Sequence, residues 1–122
     1  MGYRSSVAVV IYGDARSNEE SYALLKTLMN TTFKEVLAEN EGYETWHDNA
    51  HVLEFKMEDV KWYESYPDVQ RFMAMLDEIG NIDGLNYEFI RVGEDADDVE
   101  SKSEGEYIEY ILSVTRSIRV DL

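Results

Sequence analysis

The sequence contains no cysteine, one proline and two histidines. The absence of cysteine excludes disulfides, thiol nucleophiles and cysteine-ligated zinc sites, and it is typical of a protein in the reducing cytoplasm. No apolar run approaches the roughly 20 residues of a membrane-spanning helix. The first apolar run, Val7 to Ile11, is too short for a signal peptide. We therefore expect a cytoplasmic protein that does not engage a membrane.

Basic residues are also few. The 122 residues include 26 Asp and Glu but only 11 Lys and Arg, which gives a formal net charge of −15. Such a chain is repelled by nucleic acid and by anionic membrane surfaces, and it is attracted to basic surfaces. The charge therefore serves either as a solubilising coat or as a means of binding a basic partner. The length predicts a single domain over residues 1–122 with one apolar core.

Apolar periodicity predicts strands alternating with two long helices. The predicted strands cover 7–12, 43–47, 51–57, 85–92 and a final stretch from Tyr107. One helix follows a capping box formed by Ser17 and Glu20 and extends to Asn40, with a break expected at Asn30–Thr32. The other extends from Pro67 to about Ile79, with Ser65 as its cap.

This order of elements predicts an α+β fold, best matched by a ferredoxin-like two-layer sandwich with an antiparallel-rich sheet and two helices on one face. The alternative is another strand order, with residues 43–47 as a loop. The acidic segment 93–106, GEDADDVESKSEGE, has the composition of a mobile loop. The predicted core consists of Val9, Ile11, Leu25, Met29, Leu53, Phe55, Phe72, Leu76, Phe89 and Ile108.

The two histidines are the first candidates for a metal site. His47 and His51 flank a predicted turn, and Asp48 or Glu44 would supply a third ligand. We favour surface hairpin residues instead, because the chain lacks both cysteine and an H-E-x-x-H motif.

The acidic segment does not match a calcium-binding EF-hand. If Asp95 and Asp97 take the first and third positions and Glu106 the last, Val99 occupies a ligand position and Glu100 stands where glycine is required. No phosphate-binding loop or nucleophile elbow is present in the sequence either. We therefore predict no metal, no cofactor and no catalytic residue, and we do not expect an enzyme.

Aromatic residues among charges are typical of protein-binding hot spots. Trp62 and Tyr63 lie between Asp59 and Glu64, and the sequence leaves open whether the two rings belong to the core or to a binding surface. The densest acidic stretch, Glu94 to Glu109, holds eight acidic residues and one base. The sequence does not determine whether these two patches share a face.

Four blocks of sequence carry a resemblance to a family. The blocks MGYRS, VKWY, YPDV and RVGED, the last followed by an acidic stretch, resemble a group of small acidic proteins encoded by tailed bacteriophages. The resemblance implies a setting, the host-cell cytoplasm, and it implies no catalytic residues. In that setting we expect a protein that binds a host factor or a host defence complex.

The resulting hypothesis is an inhibitor-like binding protein whose carboxylates stand in for nucleic-acid phosphates on a basic host protein. The alternatives are a ligand-binding or enzymatic domain with a cleft near Trp46 and the histidines, and a structural homodimer formed through a sheet face or edge. The residues predicted to bind the partner are Asp59, Trp62, Tyr63, Glu64, Glu94, Asp95, Asp97, Asp98 and Glu100.

Overall fold

The computed structural model describes residues 3–14, 18–39, 43–95, 97–106, 108–114 and 118–121. Within these ranges the chain forms three helices and seven strands, and no helix there is long and apolar enough to cross a membrane. In chain order the elements are β1 (Ser5–Gly13), α1 (Glu19–Asn30), α2 (Lys34–Glu39), β2 (Tyr43–His47), β3 (Val52–Val60), α3 (Pro67–Gly80), β4 (Leu85–Gly93), β5 (Val99–Glu104), β6 (Leu112–Val114) and β7 (Ile118–Val120).

Strand β1 lies at the centre of a five-stranded antiparallel sheet with the order β2-β3-β1-β4-β5. Every residue from Val7 to Tyr12 is buried. A strand that is covered on both faces reads as a continuous apolar run, which is the pattern of this stretch. The predicted α+β class, the antiparallel sheet and the short strand at residues 43–47 are confirmed.

The three helices contribute to one apolar cluster on one face of the sheet. Helix α3 buries Phe72, Leu76 and Ile79 against sheet residues that include Val9 and Phe89. Each such side chain contributes about 1.5–3 kcal/mol through its removal from water. The expected break at Asn30–Thr32 is confirmed, because α1 ends at Asn30 and a turn separates it from α2.

The opposite face of the sheet is covered by the end of the chain. Strands β6 and β7 form a separate two-stranded sheet, and Leu112 and Ile118 pack there against Val10 and Ile90. The expectation of two layers is therefore wrong, and so is that of a final strand within the main sheet. Tyr107, where that strand was expected to start, lies outside the described residues.

A buried carboxylate ties the main sheet to this third layer. Glu88 of β4 is only 4% exposed. Its two oxygens accept hydrogen bonds from the main-chain N–H groups of Ile111 and Leu112, both at 3.1 Å, and from the hydroxyl of Tyr12 at 2.5 Å. Burial and this bond to Glu88 together raise the pKa of Tyr12. An alternating strand pattern treats Glu88 as a solvent-facing residue, so the sequence did not reveal that the chain end crosses this face.

The acidic segment is not entirely a loop. Val99–Glu104 forms β5, which pairs with β4 along the edge of the sheet. The loop prediction is therefore wrong for these residues, because the edge of β4 supplies hydrogen-bonding partners that override an unfavourable composition. Mobility of residues 93–106 stays a prediction.

Helix starts and one core residue also differ from expectation. Asn18 caps α1 and accepts a hydrogen bond from the Glu20 N–H at 2.9 Å, whereas Ser17, the predicted cap, and Asn40, the predicted end, lie outside the described residues. Tyr66 precedes α3 and makes no side-chain capping bond, so the prediction of Ser65 as the cap is wrong. Ile108 is only half-buried and lies outside both apolar clusters.

Candidate functional site

Tyr3 connects three distant parts of the chain at one end of β1. Its main-chain N–H donates to the Tyr63 hydroxyl at 2.6 Å. Its own hydroxyl donates to Asp98 Oδ2 at 2.7 Å and accepts from the Asp95 N–H at 3.1 Å. The start of the chain, the connection that follows β3 and the turn before β5 therefore meet at a single tyrosine.

Arg91 of β4 completes this arrangement, which we call the Tyr3 network (Tyr3, Tyr63, Arg91, Asp95 and Asp98). The guanidinium donates to both oxygens of Asp98, at 2.7 and 3.1 Å, and to Ser5 Oγ at 3.1 Å. Two parallel bonds from one guanidinium add both energy and geometric specificity to an ion pair. The bond from Arg91, followed by the bond from the Tyr3 hydroxyl, lowers the pKa of Asp98 from 3.8 to about 2.

The close approach of these side chains requires glycine at position 93. The Gly93 N–H donates to the Asp98 carbonyl at 2.8 Å. A Cβ atom at this position would overlap both the Asp98 carboxylate and the Tyr3 hydroxyl. Gly93 thus leaves the space in which the turn before β5 folds back onto the start of the chain.

Asp59 lies on the same end of the sheet, at a bulge in β3. The register between β1 and β3 shifts by one residue between the pairs Val7–Met57 and Ser5–Val60. Asp59 sits in this bulge with a left-handed backbone, φ 54°, a conformation that aspartate tolerates better than most residues. Bulges re-aim side chains at the rims of sheets, and the Asp59 side chain is exposed.

Trp62 and Tyr63, which follow β3, lie at the boundary between core and surface. Trp62 packs edge-on against Phe72, with ring centroids 5.5 Å apart, and lies 6.2 Å from the Phe89 ring. Tyr63 packs edge-on against Tyr66 at 5.0 Å. Trp62 and Tyr63 are both half-buried: Trp62 packs against the helix-facing core cluster, whereas Tyr63 lies outside it, and each still presents surface to solvent.

A cavity of about 710 Å³ opens between these elements. Its walls come from the segment after β3, the first turns of α3 and the facing side of β4 and β5. Five of the predicted partner-binding residues line it: Trp62, Tyr63, Glu64, Asp98 and Glu100. The two predicted patches therefore share one face.

The other predicted residues lie beside the cavity. Arg4 joins two of them, since its side chain donates to the Asp59 carbonyl at 3.1 Å and its N–H donates to the Glu94 carboxylate at 3.0 Å. Asp95 takes part in the Tyr3 network, and Asp97 is exposed in the turn before β5. The acidic stretch 94–109 does not form one patch, because Glu104 and Glu106 line a separate cavity beside residues 80–85.

Sequence reasoning missed several residues of the site, of which Tyr3, Arg91 and Met73 are the main ones. None of them stands out by local pattern, because Met73 reads as helix core and Arg91 as one polar residue of a strand. One signal did exist. Tyr3 belongs to the MGYRS block and Arg91 to the RVGED block, and the VKWY and YPDV blocks also contribute lining residues to the cavity.

The histidines lie at the opposite end of the sheet, where the β2–β3 turn meets α1. His51 stacks on the Tyr22 ring at 4.5 Å, and the Tyr22 hydroxyl donates to Asp48. The Lys26 ammonium is 3.9 Å from Asp48 and lies over the rings of Tyr22 and Trp46. We call Tyr22, Lys26, Trp46, Asp48 and His51 the hairpin cluster. Burial, followed by the bond to Asp48, raises the pKa of Tyr22 to about 12.

The hairpin cluster does not bring the histidines together as ligands. His47 is 2.8 Å from Glu54, whereas His51 is 3.7 Å from Glu19, so each imidazole has its own carboxylate. Across the described part of the chain, no three His, Asp or Glu side chains are grouped so that they could hold a metal ion. Where the alternative hypothesis places a cleft near Trp46, the side chains of Tyr22, Lys26 and Asp48 contact one another.

Comparison of the chain with protein-family models, with curated proteins and with solved structures gave no match. The cavity beside the Tyr3 network is the best candidate for a binding site, because it combines aromatic walls with exposed carboxylates.

Proposed function

We propose that this protein binds a basic surface of a host protein or defence complex through the acidic face around the cavity. The observation that carries the proposal is the meeting of both acidic patches at one aromatic-lined cavity. Around it, Glu64, Asp97 and Glu100 are exposed and have no salt bridge among the described residues. Carboxylates held in this way contact Lys and Arg as nucleic-acid phosphates would.

The two kinds of side chain at the cavity are expected to affect different steps of binding. Exposed carboxylates attract a basic partner over a distance and raise its association rate, which salt screens. Half-buried aromatic residues such as Trp62 and Tyr63 supply contact area and slow dissociation. The bacteriophage setting, drawn from the resemblance of the four sequence blocks, makes a host protein the expected partner.

The alternative cleft at the histidines is less well supported. Its polar side chains are already paired with one another, so a ligand would have to displace the bonds from Tyr22 and Lys26 to Asp48. The cavity beside the Tyr3 network has the volume of ordinary ligand sites, which range from roughly 300 to 1,000 Å³, but its exposed rim and the charge of the chain favour a macromolecular partner.

We also infer that the fold is a ferredoxin-like arrangement with additions. The order β2-β3-β1-β4, with helices between β1 and β2 and between β3 and β4, supports this inference. Strand β5 at one edge and the β6–β7 sheet on the second face would then be the additions.

A pull-down from bacterial lysate at low and high salt tests the proposed function. Immobilised wild-type protein should retain a basic protein at low salt and release it at high salt. The variant Glu64→Gln/Glu100→Gln should retain much less of the same protein. The matched variant Glu78→Gln/Asp83→Asn removes the same charge from exposed residues at the other end of α3 and should behave as wild type. The absence of any salt-sensitive basic partner would refute the proposal.

A further inference from the structure

The lining of the cavity beside the Tyr3 network combines apolar and charged side chains. Val69 and Met73 from the first turns of α3 lie inside it, together with the rings of Trp62 and Tyr63. Val69 is 2% exposed, and Met73 is half-buried. A surface of this kind suits an aliphatic chain, and aromatic faces add attraction for a cation.

The positive features of the cavity are already neutralised. Arg91 is bound by both oxygens of Asp98. The N-terminal end of α3, which favours negative charge, is matched by Asp68, whose side chain accepts from the Val69 N–H at 3.0 Å. Among the described residues that line the cavity, an anionic ligand therefore finds no cation without a carboxylate partner.

The negative features, by contrast, are open. Glu64 and Glu100 line the cavity, are exposed and have no salt bridge in the ranges that the structure describes. Glu100 stands opposite Arg91 in the β4–β5 register, so one carboxylate remains beyond the one that Arg91 already binds. The described lining residues carry a negative net charge, with Glu64, Asp98 and Glu100 against Arg91.

We propose that the cavity receives one arginine side chain of the basic partner, with the methylene stem against Met73 and Val69 and the guanidinium between the aromatic rings and the carboxylates Glu64 and Glu100. This inference rests on the proposed function and adds to it a specific anchor. Arginine fits better than lysine because its planar guanidinium stacks on aromatic rings, is more weakly hydrated and binds carboxylates through two parallel bonds.

Titration with a small arginine analogue, followed by NMR, tests the pocket directly. N-acetyl-arginine methylamide carries the side chain without free termini, and the citrulline analogue has nearly the same shape without the charge. The two tryptophans provide an internal comparison, because Trp62 lines the cavity and Trp46 lies in the hairpin cluster. The arginine analogue should shift the Trp62 indole signal in a saturable way and leave that of Trp46 unchanged. The citrulline analogue should shift neither, and the lysine analogue should bind more weakly than arginine.

Two variants separate a pocket from diffuse charge. Glu100→Gln should weaken binding of the arginine analogue by about fivefold, the effect of one charged contact near the surface. Asp97→Asn removes the same charge from a nearby exposed residue that does not line the cavity, and it should weaken binding by less than about twofold. Equal effects of the two variants, or equal binding of the arginine and citrulline analogues, would overturn the inference.

The outcome also separates this inference from the proposed function. If the arginine analogue leaves the Trp62 signal unmoved while wild-type protein still retains a salt-sensitive basic partner, the arginine pocket is wrong and the acidic binding face stands. If the analogue binds at Trp62 but no basic partner is retained from lysate, the pocket stands and the protein-binding function is wrong.

Discussion

Carboxylates gather at both ends of the central strand β1, and the two ends differ in how those charges are matched. At the hairpin cluster, Asp48 meets both Lys26 and the Tyr22 hydroxyl, and Glu19 lies beside His51. At the cavity, Asp98 is the one lining carboxylate that forms a salt bridge within the described part of the chain, with Arg91. Glu64 and Glu100 remain exposed there without a salt bridge among the described residues. At the hairpin end the acidic side chains are thus paired within the protein, whereas at the cavity end two carboxylates are left to contact cations of the proposed partner.

The largest expected effect comes from a change in the core that both ends share. Leu76 is fully buried in the helix-facing cluster. Leu76→Ala should lower the free energy of unfolding by about 2–5 kcal/mol, because it removes buried methyl groups and leaves a cavity. Urea denaturation measures the change. Glu78→Gln, an exposed position on the same helix, should stay within about 0.5 kcal/mol of wild type. A urea denaturation curve of Leu76→Ala like that of wild type would contradict the described packing of α3 against the sheet.

A smaller effect, confined to the cavity end, is expected from Gly93→Ala. The added methyl group would displace the Asp98 carboxylate and the Tyr3 hydroxyl, which should lower the free energy of unfolding by about 1–2 kcal/mol through overpacking. The NMR spectrum should change at Trp62 and remain the same at Trp46. Equal changes at the two indoles would show that the ends are not independent.

Much of the framework could be predicted from the sequence, because it depends on local periodicity. The stripe Val69, Phe72, Leu76 and Ile79 predicted α3 to within a residue at its end, and the continuous apolar run of β1 predicted a central strand. Of the predicted core residues, only Ile108 lies outside the two apolar clusters.

The features that escaped prediction depend on contacts between distant residues. The acidic sequence of β5 indicates a loop, but the free edge of β4 supplies main-chain hydrogen-bonding partners that hold it as a strand. The burial of Glu88 depends on the chain end crossing the sheet, some 24 residues later in the case of Leu112. The acidic and aromatic residues of the site could be predicted from composition. Tyr3 could not, because it bonds to residues 60 and 95 positions away and has no local sequence signal.

Acid should weaken the cavity end selectively. The pKa of Asp98 is lowered from 3.8 to about 2 by Arg91 and then by Tyr3. The stabilisation from ionised Asp98 is therefore fully present above the ordinary pKa and is lost as the pH falls through about 2. Wild type should exceed Asp98→Asn in unfolding free energy at neutral pH, and the difference should shrink over that acidic range. A difference that is independent of pH would contradict the assigned role of the Asp98 charge.

Alkali should weaken the hairpin end, with the smallest effect of the series. Burial and the bond to Asp48 raise the pKa of Tyr22 from 10.0 to about 12. The stabilisation from its neutral hydroxyl is fully present below the ordinary pKa and is lost as the pH rises through about 12. The stability difference between wild type and Tyr22→Phe should therefore decrease over this range in denaturant titrations. If the difference grows instead, the Tyr22 hydroxyl does not hold the turn to α1 as described.

The central claim is that a partner binds at the cavity end of β1. Its most direct test is the association rate of the partner retained in the pull-down, measured as a function of ionic strength. Neutralising two carboxylates of the cavity with Glu64→Gln/Glu100→Gln should slow association about tenfold at low salt and flatten its salt dependence, since steering charges act mainly on the association rate. Removing the same charge at the far end of α3 with Glu78→Gln/Asp83→Asn should change the rate by less than about twofold. Equal slowing by the two variants would show that net charge alone attracts the partner and would contradict a specific acidic face at the cavity.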